Sequence, residues 1–95
     1  MPVFLLFSLF TSAQTSSVIT GKVTGSNGDP LPGVSVNLKN STSGSKTDSA
    51  GNYSLTVHSL NGTLVFSSVG FTSQEVSIAN RANIDLVLQS TATDL

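Results

Sequence analysis

The side chains able to do chemistry are few and far apart in this chain of 95 residues. His58 is the single histidine, cysteine is absent, and the five carboxylates, Asp29, Asp48, Glu75, Asp85 and Asp94, are spread from one end to the other. General acid–base or nucleophilic catalysis needs a base held against a hydroxyl or thiol and oriented by a third group. A Ser-His-Asp set would have to recruit His58 together with a distant aspartate, so no catalytic residue is expected and His58, at the end of an apolar alternation, reads as a surface residue. Calcium needs several oxygen ligands gathered in one loop. The best loop is Thr47-Asp48-Ser49-Ala50-Gly51-Asn52-Tyr53. With Asn52 or Asp29 as helpers it still offers only Asp48 as a carboxylate inside the loop, and it lacks the closing glutamate. Asp48 is therefore expected to cap a turn, with no metal ligand and no cofactor anywhere. The triplets Asn40-Ser41-Thr42, Asn52-Tyr53-Ser54 and Asn61-Gly62-Thr63 fit a glycosylation acceptor, but a Ser/Thr-rich chain produces them by chance.

The elements that carry these residues are short and extended. Charged residues make up 9% of the chain and the net charge is −1, which supplies no polybasic surface for nucleic acid or anionic lipid. Eight glycines, abundant Ser and Thr, and Phe as the main aromatic suit many strands joined by polar turns. The first strand is expected over residues 18–24 with Ile19, Gly21 and Val23 on one face, Gly21 marking close approach by another backbone or a large side chain. Gly28 and Asp29 belong to a turn. Pro30 and Pro32 then impose an extended stretch without donors, so that pairing resumes only after Gly33. Val34, Val36 and Leu38 alternate with polar residues in a second strand.

Residues 45–48 read as a short edge strand. Asp48 and Gly51 are expected to frame a type I turn, the carboxylate accepting from the N–H two residues on, with a hairpin to the next strand. Tyr53, Leu55 and Val57 alternate over residues 52–58, and Asn61-Gly62 is a strong hairpin signal. Residues 63–69 form a more continuous apolar strand, expected at the centre of a sheet and broken by Gly70. Further strands follow at 75–78 and 84–88. The expected core is Ile19, Val23, Val34, Val36, Leu38, Tyr53, Leu55, Val57, Leu64, Phe66, Phe71, Val76, Ile78, Leu86 and Leu88. Six or seven strands at this spacing specify an all-β sandwich.

The first residues differ from this pattern. Val3-Phe4-Leu5-Leu6-Phe7-Ser8-Leu9-Phe10 is apolar but much shorter than the roughly 20 residues that a spanning helix requires. Thr11-Ser12-Ala13 supplies small residues where a signal peptidase cuts, so residues 1–13 are expected to be an export signal removed before Gln14. No Lys or Arg precedes the run, which points to a start a few residues further upstream. No Cys follows it to carry a lipid. Residues 14–17 are expected to be a loose linker, 18–89 the sandwich, and 90–95 the start of a linker to a C-terminal region beyond this sequence.

Four stretches together resemble the carboxypeptidase-regulatory-like domain: Ile19-x-Gly21-x-Val23, Gly28-Asp29-Pro30-Leu31-Pro32-Gly33-Val34-Ser35-Val36, Thr47-Asp48-x-x-Gly51-Asn52-Tyr53, and Leu64-x-Phe66-Ser67-Ser68-Val69-Gly70-Phe71. The resemblance implies a seven-stranded, transthyretin-like (prealbumin-like, Greek-key) sandwich, the apolar positions serving as core and the Gly and Pro positions as turns. A purine-pathway hydrolase shares that architecture, but its His and Arg cluster and its terminal motif have no counterpart here. Placed after a signal peptide, the domain is similar to the N-terminal extension of SusC/RagA-type TonB-dependent outer-membrane receptors. That implies a non-catalytic accessory module on the periplasmic side of the outer membrane. In such proteins a plug and a barrel import glycans or peptides. The implied partners are envelope proteins, namely the energy-coupling complex, the receptor's own plug and barrel, and its surface lipoprotein; nucleic acid is not among them, and this segment does not itself enter the membrane.

Two surface features bear on binding. Ser67-Ser68-Val69-Gly70-Phe71 is either a patch with Phe71 as an exposed anchor or a bend with Phe71 in the core, and the core is favoured. Residues 43–47 are the expected free edge for strand addition, with Lys46 as a guard. The alternative function is a free-standing secreted sandwich for adhesion or carbohydrate binding. Trp is absent and Tyr53 is expected to be buried, which leaves little to stack on a sugar.

Overall fold

The computed structural model describes residues 16–91, all strands, turns and loops. Seven strands follow in order: β1 (Ser17–Gly25), β2 (Ser35–Leu38), β3 (Gly44–Lys46), β4 (Asn52–Val57), β5 (Thr63–Ser67), β6 (Gln74–Ser77) and β7 (Leu86–Leu88). They form a three-stranded sheet, β4-β1-β7, and a four-stranded sheet, β3-β2-β5-β6. The result is the all-β, Greek-key, prealbumin-like sandwich expected from the sequence. The expected export signal, residues 1–13, lies outside the described residues.

Period-two patterning sets the inner faces. In β1, Ile19, Gly21 and Val23 point inward, and its antiparallel partner β4 places Leu55 opposite Ile19 and Tyr53 opposite Gly21. β7 runs parallel to β1 on the other side, with Val23 opposite Leu86. In the second sheet β5 is central. Leu64 and Phe66 on its inner face are fully buried, flanked by Val36 of β2 and Val76 of β6. The Tyr53 and Phe66 rings meet edge to face across the two sheets, 5.5 Å between centroids at 75°.

The buried apolar cluster also includes Val34, Val57, Ile78, Ile84 and Leu88. Leu38, Phe71 and Val76, expected within the core, are only partly buried and pack against its margin. Ile84, outside the expected core, is buried as well; it has the same parity as Leu86 and Leu88. Thr47 is the buried polar side chain among the described residues. Its hydroxyl donates to Leu31 O (2.6 Å) and accepts from Val34 N (2.9 Å), so its burial leaves nothing unsatisfied.

Three expectations about pairing are corrected. The proline stretch pairs earlier than expected: Pro30 bridges Thr24, Leu31 N donates to Val23 O (3.0 Å), and Gly33 N donates to Thr47 O (3.0 Å). Proline lacks a donor, but the residues between and after the prolines keep theirs. The Asp48 and Asn61-Gly62 turns do not close hairpins. β3 and β4 belong to different sheets, as do β4 and β5, so both connections cross the sandwich. Neither Asn61 nor Gly62 has the positive φ that a two-residue hairpin of this type requires. The loop is held instead by Asn80 N donating to Leu60 O (2.8 Å) and Ile78 N donating to Gly62 O (2.9 Å). Finally, β5 ends at Ser67, short of the expected Val69.

Candidate interaction surface

The residues considered for chemistry are held apart, and each described carboxylate has a structural partner of its own. His58 is exposed immediately after β4. Asp29 accepts from the Asn27 carboxamide (3.0 Å), Glu75 pairs with Lys39 (3.0 Å), and Asp85 accepts from Lys22 N (2.9 Å). Asp48 Oδ1 accepts from Ala50 N (3.0 Å) and Asn52 N (2.9 Å), while its carbonyl accepts from Gly51 N (2.9 Å). Gly51 has φ +80°, and a Cβ there would lie 2.6 Å from Val23 O. Asp94 lies outside the described residues. None of these bonds involves His58, and no three His, Cys, Asp or Glu among the described residues gather to hold a metal ion.

A dense polar junction forms where β1 meets β4 and β7. The Tyr53 hydroxyl donates to Ile84 O (2.7 Å) from a buried position. In an uninterrupted parallel ladder that carbonyl would accept from Lys22 N, which turns instead to the Asp85 carboxylate. The exchange needs a bare backbone at Gly21, whose Cβ would sit 1.8 Å from Ile84 O and 2.9 Å from the Tyr53 ring. Burial, and after it the negative charge of Asp85, push the Tyr53 phenol up to about 12, with Arg81 acting weakly in the other direction. Arg81 itself donates through Nε to Ile78 O (3.0 Å) and through its terminal nitrogen to Ser77 O.

What remains available for contact lies at the edges and at one end. The turn after β5 closes through Phe71 N donating to Ser68 O (3.1 Å), with Gly70 at φ +88°. Phe71 folds back toward the core and bridges Ser90, which settles the alternatives for this segment in favour of partial burial. Val69 at the tip is 98% exposed, so the exposed apolar group is the neighbour of the one considered. Beside it Gly33, Ser35, Ser67 and Ser68 line an open cleft of ≈ 470 Å³.

Of the expected free edge, β3 does flank its sheet. Leu38 N donates to Ser43 O and Thr47 N to Val34 O, so residues 43, 45 and 47 face β2 while the peptide groups of Gly44 and Lys46 face away. No property of Val69 announced itself in sequence. The signal for Thr47 would have been a β-branched hydroxyl residue continuing the inward parity of β3.

A sequence profile for the CarboxypepD_reg-like domain matches residues 19–95. The chain belongs to this family. As a CarboxypepD_reg-like domain it is 42% identical over 88 residues to TonB-dependent receptor P39 of Formosa agariphila, a match covering 90% of this chain and 8% of that protein. To TonB-dependent receptor P3 of the same organism it is 38% identical over 92 residues, covering 96% and 9%. The chain thus spans less than a tenth of the length of these curated relatives. The fold recurs in a chain from a type II Cohesin-X-Dockerin complex of Acetivibrio cellulolyticus, with TM-score 0.59, 17% identity, and coverage of 75% of this chain and 52% of that one. A second mutant of that complex gives TM-score 0.58 at 16% identity, covering 80% and 58%. At such identity the likeness concerns the fold alone.

Proposed function

We propose that this CarboxypepD_reg-like domain is a non-catalytic accessory module of a TonB-dependent outer-membrane receptor that imports glycans or peptides, exposed on the periplasmic side. The observation that carries the reading is homology along nearly the whole chain to receptors of which it spans less than a tenth. The site geometry is compatible with it: among the described residues the carboxylates are held in turns, a ladder and an ion pair, while an edge strand and an exposed apolar turn suit protein contact. Its partners are then envelope proteins, among them the energy-coupling complex, the receptor's own plug and barrel, and a surface lipoprotein, met through the β3 edge or the Val69 turn.

The reading is tested by fractionating the envelope of the producing organism and probing with an antibody raised against the sandwich. The expected result is a single species of full receptor size in the outer membrane. A species no larger than this chain, released to the medium, would overturn the proposal in favour of a free-standing secreted module. Deleting residues 18–89 within the full gene is expected to lower oligosaccharide or peptide uptake while surface levels of the receptor hold.

A further inference from the structure

The geometry points to a mechanical property built into the fold: the sandwich resists tension most when it is pulled from the two ends of its described chain. This follows from the placement of the terminal strands and stands apart from which receptor carries the domain. β1 and β7 are parallel neighbours, so the chain enters at the start of β1 and leaves beyond the end of β7, at opposite ends of the same ladder. Tension applied through residues 16 and 91 draws β1 one way and β7 the other along their common axis. Every bond between them is loaded at once.

The connections across that seam are numerous and of different kinds. Thr20 N donates to Ala82 O and Ile84 N to Thr20 O, both at 2.9 Å; the Asn83 carboxamide reaches the Thr20 hydroxyl at 3.3 Å; and the ladder runs on through Val23, Thr24 and Gly25 opposite Leu86, Val87 and Leu88. Lys22 N is held by the Asp85 carboxylate, and Tyr53 of β4 is fastened to Ile84 on the far side of β1. β1 also lies in shear against β4 over six residue pairs from Ser17 to Lys22. Beyond β7 the chain is fastened once more, Thr72 N donating to Gln89 O (2.8 Å) and Thr91 N to Gly70 O (2.9 Å), which ties the exit to the second sheet.

Pulling from residues 16 and 58 has the opposite character. Ser17 and Val57 are paired at the open end of the β1–β4 ladder, so tension there parts the strands one bond at a time.

Single-molecule force spectroscopy on the full chain separates the two. The protein has no cysteine, so handles attach only where one is introduced: Ser16→Cys with Thr91→Cys for end-to-end tension, and Ser16→Cys with His58→Cys for peeling. At equal loading rate, end-to-end unfolding is expected to need at least about twice the peeling force, since forced unfolding reports the barrier along the pulled direction. Asp85→Ala, which leaves Lys22 N without its partner, is expected to lower the end-to-end force and leave the peeling force unchanged. An end-to-end force equal to or below the peeling force overturns the proposal. So does an Asp85→Ala chain whose end-to-end force matches that of the parent or whose two forces fall in equal proportion.

Discussion

The junction at Gly21, Tyr53 and Ile84 and the turn at Ser68 to Phe71 are opposites in the same small domain. At the junction the groups are tied to one another: a phenol donates to a strand carbonyl, a carboxylate replaces that carbonyl in the ladder, and a glycine makes room for both. At the turn a valine extends into solvent with nothing over it. Close packing makes a site sensitive to a single methyl group, whereas an exposed side chain contributes little to folding and is free to serve contact. One of the scattered carboxylates, Asp85, thus belongs to the region that holds the fold, and the bland valine belongs to the region open to solvent.

Substitutions at both places put the contrast to the test. Gly21→Ala is expected to have the largest effect, about 3 kcal/mol or more of lost stability, because the added carbon collides with the Ile84 carbonyl rather than with a movable side chain. A urea melt within about 1 kcal/mol of the parent would break the comparison. Gly51→Val should cost roughly 1–3 kcal/mol through its positive φ and the contact with Val23 O; equal midpoints for variant and parent would remove the proposed turn.

Tyr53→Phe is expected to cost about 1–2 kcal/mol by leaving the Ile84 carbonyl unpaired in the interior. The same phenol gives a pH signature. Its folded value of about 12 exceeds the ordinary 10.0, so the unfolded chain loses the proton first and stability declines as pH rises from about 10 to about 12. Denaturant midpoints measured across that window should decline for the parent and stay flatter for Tyr53→Phe. At the small end, Val69→Ser and His58→Ala should each stay within about 0.5 kcal/mol in the same melts. A larger loss at Val69 would mean that the turn is part of the fold after all.

The inward and outward alternation of β1, β2, β4 and β5 was legible because a half-buried strand writes its period directly into the chain. The Asp48 turn was legible for a similar reason: the Asx contact and the Gly51 backbone are local. Strand partnership was not. Asp48 to Gly51 and Asn61-Gly62 both look like hairpin turns, yet both carry the chain from one sheet to the other. A turn motif fixes how the backbone bends, but which strand lies alongside is decided by burial of faces distant in sequence. The Val69 knob was hidden by its place in an apolar run. Only the fold shows that the ladder stops two residues earlier.

The first strand is completed by the last. Lys22 finds its hydrogen-bond acceptor 63 residues further along, and until that segment has left the ribosome one whole side of β1 is bare. Such remote closure makes for slow, all-or-none folding, and a nascent chain halted before Leu86 would present an open, β-branched edge to its neighbours. Termination at or shortly before codon 86 should therefore yield aggregates rather than a smaller working domain.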